Sequence, residues 1–313
     1  MARNRRKSII PCASSVQSLE IRQLLAGDVA VALSSVDSRD LVITGDNSSN
    51  QIVVQEIGVD RIRVTGQNGT QVNGGSSATF TVRDDVRIDM KGGNDTVTVR
   101  NLNLRNYSHS DLSIDLGTGH DTLTVESTDV ADDLDVYAGD GNDTIEVLET
   151  TARDLLIDGE YGEDEITADE LAIHRSARID GGENADDIEV QDSAIGDDLI
   201  IDGDSGADTA VVAGVDVSDN ISIDLGSGDD YGVVRYSDAD DVFVYGRTGD
   251  DTVYLYQNKV TDQLYASLHT GNDDLHFWSN TVGRHYFNGG TGTDSWSTVL
   301  DYFWTWSNFY NFE

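Results

Sequence analysis

The sequence predicts an all-β chain, a right-handed parallel β-helix or solenoid of about twelve rungs with 21–22 residues in each. Three observations predict it. The first is a repeat: residues 114–125, I-D-L-G-T-G-H-D-T-L-T-V, return in near-copies along the chain. With the first apolar residue taken as position zero, the copies start at Ile88, Ile114, Val136, Ile157, Ile179, Ile201, Ile223, Val244, Ala266 and Phe287, in steps of 26, 22, 21, 22, 22, 22, 21, 22 and 21. A fixed period of this size marks stacked supersecondary units. The second is apolar pairing. Leu112 and Ile114, or Leu134 and Val136, stand at −2 and 0, and Leu123 and Val125, or Ile145 and Val147, at +9 and +11. One polar residue separates each pair, the period of a strand with one buried face. The third is a further apolar column at +16, from Val130 and Ala152 through Ile173, Ile195, Val217, Ala239 and Val260 to Val282. Three inward positions per repeat imply a three-sided coil whose rungs lie about 4.8 Å apart, in a rod roughly 50–60 Å long. The right hand follows from the near-universal hand of parallel crossovers.

Taken in order, residues 1–36 read as a targeting segment, 37–299 as the repeat domain and 300–313 as an aromatic C-terminal cap. Within the repeat domain, 37–87 read as atypical capping rungs, with Ile43 leading to Asn50 and Val64 to Gln71 at +7, and 88–299 as the Asp-rich rungs. Terminal repeats of an array are expected to be atypical, because they close the stack. The stretch 101–110 lengthens one step to 26 residues and is expected to bulge from a corner. All four Trp fall at or after Trp278, so the aromatic end reads as a lid on the apolar column. A sugar-stacking surface and an uncleaved export signal are the alternatives for it.

Composition agrees with short strands joined at corners: the 313 residues include 31 Gly and one Pro. The formal charge is −38, from 58 acids and 20 bases, which disfavours nucleic acid and anionic lipid as partners. The single Cys12 excludes an internal disulfide framework, and no apolar run is long enough for a transmembrane helix.

The chemistry is concentrated at +7, where every copy carries an acid: Asp95, Asp121, Asp143, Asp164, Asp186, Asp208, Asp230, Asp251, Asp273 and Asp294. If rungs stack in register, neighbouring carboxylates lie about 5 Å apart and repel by about 0.8 kcal/mol in water, or near 3 at an effective dielectric of 20. A second acidic column at +1 holds Asp89, Asp115, Asp158, Asp180, Asp202 and Asp224. A hard divalent cation with oxygen ligands relieves such a column, and Ca2+ suits an irregular carboxylate and carbonyl cage better than Mg2+. The bland alternative is that Asp favours turns by accepting bonds from backbone N–H groups. It is the expected account of the other acidic corner, at Asp132, Asp133, Asp197, Asp198, Asp240 and Asp241.

The corners Gly117-Thr-Gly119-His-Asp121, Gly139-Asp-Gly141-Asn-Asp143, Gly226-Ser-Gly228-Asp-Asp230 and Gly290-Thr-Gly292-Thr-Asp294 read G-x-G-x-D. They resemble the nonapeptide G-G-x-G-x-D-x-U-x of the RTX calcium-binding β-roll repeats. The resemblance implies that the glycine turn offers carbonyls, that the ten aspartates at +7 offer carboxylates, and that calcium sits between stacked turns. RTX chains carry such a corner on every half-coil of about 18 residues. This chain has one per 22, so calcium would line one edge only.

Near the N-terminus, Leu19, Glu20, Arg22, Leu24 and Leu25 resemble the LEPR-XLL motif of large exported bacterial surface proteins, with Ile21 in place of the usual Pro. Arg5 and Arg6 match a twin-arginine signal poorly, and Pro11 before Cys12 matches a lipoprotein signal poorly. A short amphipathic helix is the alternative for residues 18–29. Together these features lead to the expectation of an exported, calcium-binding, non-enzymatic repeat protein with a structural or adhesive role at the cell surface, whose further partners are surface glycans or envelope proteins. The alternative is a carbohydrate-binding or polysaccharide-modifying β-helix, for which Tyr245, Tyr254, Tyr256, Tyr265 and Trp278 would supply a stacking patch and His269, His276 and His285 are the nearest-spaced titratable groups.

Overall fold

A computed structural model describes residues 27–34, 39–106, 109–299, 302–303 and 307–311. The residues that carry the LEPR-XLL-like, twin-arginine and Cys12 motifs lie outside the described ones. The described chain is all-β, a stack of parallel coils of about 10 turns with roughly 22 residues per turn. One turn runs from a strand of the larger, 19-stranded sheet, such as Leu112–Asp115, through the glycine corner to a strand of the 13-stranded sheet, such as Thr122–Glu126. A short third side, such as Thr151–Ala152, then leads back to the larger sheet.

Registers match the repeat. Ile114 pairs with Val136, Leu123 with Ile145 and Ala152 with Ile173, all in parallel. The position-zero column is at most 2 % exposed and the +16 column at most 6 %. Alternation thus places three apolar stripes on one axis, each buried side chain contributing about 1.5–3 kcal/mol against the entropy of ordering it. From Asp238–Tyr245 onward the third side merges with the first into one long strand, with a register shift between Ala239 and Asp241. Towards the C-terminus the core becomes aromatic, with Phe277 and Phe287 at 4.7 Å and the buried His285 ring 5.1 Å from Phe287.

The ends differ from the sequence expectation. The stack has about 10 turns rather than twelve. Ile43 is a true position zero, pairing in parallel with Ile88. Val64, however, does not begin a rung: Arg61–Gly66 runs antiparallel to both Gln51–Gly58 and Ser77–Thr81. Asp28–Leu33, inside the segment read as targeting sequence, is a strand antiparallel to Leu41–Thr44. The N-terminal cap is therefore antiparallel. Its turn at Val59 and Asp60 folds the strand back before a second coil can form. At the other end, Ser295–Val299, Tyr302–Phe303 and Ser307–Tyr310 pair in parallel with the preceding turn, so this segment continues the coil. The insertion at 101–110 begins packed, since Leu102 and Leu104 are buried and Asn103 bridges Asp129.

A second corner was invisible in sequence because only one of its residues is glycine. At +13 nine successive turns adopt the left-handed conformation, with Asn101, Ser127, Glu149, Glu170, Asp192, Gly214, Tyr236, Gln257 and Ser279 at φ of 41–70°. A non-glycine residue there costs about 1 kcal/mol. Glu170→Gly, at an exposed site with φ 54°, is expected to raise stability by up to about 1 kcal/mol, readable as a higher urea midpoint. An unchanged or lower midpoint would contradict this account of the corner.

Candidate metal-binding edge

The glycine corner sets where the aspartates stand. Its +3 residue is left-handed in all ten turns, at φ of 59–99°, with Gly117, Gly139, Gly182, Gly226 and Gly290 where sequence allows and Lys91, Glu160, Asp204, Arg247 and His269 elsewhere. The +4 residues form an unbroken run of parallel bridges from Gly92 through Thr118 and Asp140 to Thr291, so successive corners stack in register. At +5 the backbone carbonyl points along the axis at the next turn. A Cβ on Gly119, Gly141, Gly162, Gly228, Gly249 or Gly292 would meet the preceding carbonyl oxygen at 1.3–1.8 Å. Asn184 is the exception among the +5 residues and takes φ 86° instead of the more extended glycine value.

The structure brings all ten sequence-predicted aspartates onto one edge, each 0–3 % exposed. They face inward. Each backbone N–H donates to the Oδ1 of the aspartate one turn further along, beginning with Asn50 to Asp95 and ending with Asp273 to Asp294, at 2.6–3.1 Å. The bland expectation is therefore realised at one oxygen of each carboxylate. The other oxygen is not accounted for. Oδ2 of Asp95, Asp121, Asp143, Asp164, Asp186, Asp208, Asp230, Asp251 and Asp273 is buried and has no hydrogen-bond partner.

Compared with protein families, with curated proteins and with solved structures, the chain returns no significant match. The likeness to RTX repeats thus rests on the corner residues themselves.

Burial dominates the electrostatics of the edge. It pushes Asp121, Asp164, Asp186 and Asp208 up to about 7, Asp251 up to about 8, and Asp95, Asp230 and Asp273 up to about 6, against the opposing pull of the backbone N–H. Asp143 is also raised, by the same cause. Like-charged neighbours add to it at Asp121, Asp186 and Asp251. A buried row of carboxylates at neutral pH needs either a proton or a cation at the free oxygen.

The oxygens at the corner are of the kind a hard cation takes, carbonyl and carboxylate. At Gly119, Gly162 and Gly292 both the preceding carbonyl, at 1.4–1.8 Å, and Oδ1 of the turn's own aspartate, at 3.1–3.2 Å, lie close to where a Cβ would stand, so the two kinds of oxygen are neighbours there. At Oδ2 the +2 residue differs in kind from turn to turn. Gly159, Gly181, Gly203 and Gly246 would each bring a Cβ within 2.3–2.9 Å of an unpartnered Oδ2, whereas Met90, Leu116, Ala138, Leu225 and Leu268 carry buried apolar side chains at the same position. Outside the same corner, Asp158, Glu160, Asp180, Glu183 and Asp204 line an acidic hollow of about 300 Å³.

Several of the remaining acidic groups have a cationic partner, while Oδ1 of Asp169 and of Asp180 is also buried without a hydrogen-bond partner. In the +1 column Lys91 pairs with Asp89, Arg178 with Asp180 and Asp202, and Arg247 with Asp224. Asp111, Asp132 and Asp133 lie close enough to share a cation, but Arg153 already pairs with Asp132 and Asp133. Asp111 and Asp133 also belong to a half-buried ladder at −3, where Asp85 accepts from the Asp111 N–H and Asp111 from that of Asp133, both at 3.1 Å. Sequence reasoning missed a third ladder at +14, of Thr128, Thr150, Ser193, Ser237, Asn258 and Asn280, in which Ser237 and Asn258 N–H groups donate to the next Asn Oδ1 at 3.1 Å. Its signal was a run of small polar residues in register, broken in sequence by the buried Leu102, Leu171 and Val215 at the same offset.

The three histidines do not converge. The His269 Nδ1 lies 3.0 Å from the Ser267 carbonyl, His276 stacks on Tyr254 on the other sheet, and His285 is in the core. The five aromatic residues also separate: Tyr254, Tyr256 and Trp278 lie on the smaller sheet, Tyr245 and Tyr265 on the larger.

Proposed function

We propose that the protein is an exported, calcium-stabilised β-solenoid with a structural or adhesive, non-enzymatic role at a bacterial cell surface. The observation that carries this reading is the row of nine buried carboxylate oxygens without partners on one edge. Calcium between turns would take Oδ2 and glycine-corner carbonyls as ligands and neutralise the column, while Oδ1 keeps its backbone bond. The charge of −38 supports a separation of export from folding. Where calcium is scarce the chain repels itself, and binding only the folded state would stiffen it outside. Among the described residues no helix is long and apolar enough to cross a membrane. The resemblance of Leu19, Glu20, Arg22, Leu24 and Leu25 to the LEPR-XLL motif supports the cell-surface part of this reading.

The test is thermal unfolding of metal-stripped protein, followed by far-ultraviolet circular dichroism, with millimolar calcium, magnesium or sodium added. Each occupied site adds about 2.7 kcal/mol when calcium is at 100 times its dissociation constant. A calcium-specific rise of the melting temperature, well beyond that given by magnesium, is expected. Equal curves in all three salts would overturn the reading and leave the edge as a ladder of protonated acids.

A further inference from the structure

The outward face of the smaller sheet changes character along the axis. At +10 it runs from Glu146, Thr167 and Glu189 to Val211, Val233 and Tyr254, and at +12 from Glu126 and Asp169 to Arg235, Tyr256 and Trp278. The core of these turns is already filled by +9 and +11, with Val234, Val253 and Leu255 fully buried, so folding does not require apolar groups outside. The change produces a hollow of about 570 Å³. Val211 and Val233 are its floor. Tyr231 stands on one side, and Tyr254 closes the C-terminal end with its ring 5.5 Å from that of Tyr231. On the other side Tyr256 and Trp278 stack at 4.5 Å and 4°.

Tyr236 is the most telling residue. It is 56 % exposed, holds a left-handed φ of 55°, and presents its ring edge-on to Tyr256 at 5.6 Å. A bulky aromatic residue in that conformation is disfavoured by the backbone and gains little burial in return. Its placement makes sense as a wall of the hollow. The polar groups are few: Glu189 at the N-terminal end, Gln257, and Arg235, whose Nη1 donates to the Tyr256 hydroxyl at 3.2 Å while its buried Nε has no hydrogen-bond partner.

We propose that this hollow binds a neutral pyranose saccharide. A pyranose ring has apolar C–H faces and a hydroxyl rim, which match ring faces and a valine floor edged by phenol, amide, carboxylate and guanidinium groups. Charge selects the class. In a molecule of net charge −38, with Glu189 in the lining and Arg235 the one cation there, a polyanionic glycan is repelled. The hollow lies on the sheet face rather than on the aspartate edge, so this proposal stands apart from the calcium reading.

The test titrates the full chain, in calcium, with cellotetraose, chitotetraose and mannotetraose, and with polygalacturonate as the polyanion, reading tryptophan fluorescence and calorimetric heat. At least one neutral tetrasaccharide is expected to bind. Trp278→Ala and Tyr236→Ala should each weaken it about tenfold or more, as loss of a central aromatic contact does. Tyr286→Ala, in the tyrosine stack of the opposite sheet, should leave affinity unchanged. Melting curves identify any variant that fails to fold. Tyr236→Ala, which removes an exposed ring, provides the decisive measurement if Trp278→Ala unfolds. The proposal is overturned if no neutral tetrasaccharide binds at millimolar concentration, if only polygalacturonate binds, or if affinity survives Tyr236→Ala. It is equally overturned if sedimentation shows two chains pairing through this face and Tyr236→Ala separates them.

Discussion

Gly141→Ala is expected to destabilise the solenoid by roughly 4 kcal/mol or more, the range reached when a backbone cannot move aside. The new Cβ would lie 1.3 Å from the Gly119 carbonyl oxygen and 2.5 Å from its carbon, at a φ of 146°. The obstacle is the main chain of the neighbouring turn, itself held by the Gly119 N–H bond to the Asp140 carbonyl, so neither turn can yield without breaking register. Gly58→Ala separates the two causes. It has a comparable demand for a large positive φ, at 158°, but open space around it, and should cost only about 1–3 kcal/mol. Urea unfolding of the two variants measures the difference. Equal midpoints would show that conformation, not the carbonyl contact, makes glycine necessary at +5.

The second large effect concerns pH. Burial holds eight aspartates of the edge at about 6 to about 8 in the folded state, above the ordinary carboxyl value that the unfolded chain keeps. Between those values the folded state binds more protons than the unfolded one. Its stability therefore falls as pH rises, and the contribution of protonation is lost on passing through the folded values. Metal-stripped protein is expected to melt at a higher temperature near about pH 5 than near about pH 8, the reverse of a protein stabilised by salt-bridged acids. Calcium competes with the proton for the same oxygen, so its stabilising effect should grow over the same interval.

Two substitutions at Asp186 divide its roles. Asp186→Asn keeps an acceptor for the Asp164 N–H, now 2.8 Å from Oδ1, and removes the charge. Asn258 and Asn280 at another corner, whose Oδ1 atoms accept from the Ser237 and Asn258 N–H groups, show that an amide fits such a ladder. The variant should be more stable than the parent at about pH 8 without metal, and should gain less from calcium. Asp186→Ala leaves a buried N–H without an acceptor and should cost about 1–3 kcal/mol at every pH. A parent melting temperature that rises with pH in chelator would refute this description of the edge.

Sequence by itself determined the solenoid, the three apolar columns and the membership of the aspartate edge. Each is a property of period: inward residues of a strand alternate, and stacked turns superpose identical offsets, so Ile114 over Val136 and Asp121 over Asp143 could be read before any coordinate. The tertiary structure decided the rest, wherever the outcome depends on a neighbour that the period does not name. Only the stack shows that Oδ1 of each aspartate is taken by the N–H of the preceding turn while Oδ2 is left over, because that division is made between turns. The antiparallel cap around Val64 escaped because its residues keep strand alternation, which is the same whichever way the partner runs. The left-handed corner at +13 escaped because Glu149, Glu170 and Tyr236 carry no glycine signal, their strain being borne by the bonds of the turns on either side. The aromatic hollow was legible in part: Tyr254, Tyr256 and Trp278 belong to the stacking patch read from sequence, but Val211, Tyr231, Val233 and Tyr236 join them, and Tyr245 and Tyr265 leave, only when rungs stack about 4.8 Å apart.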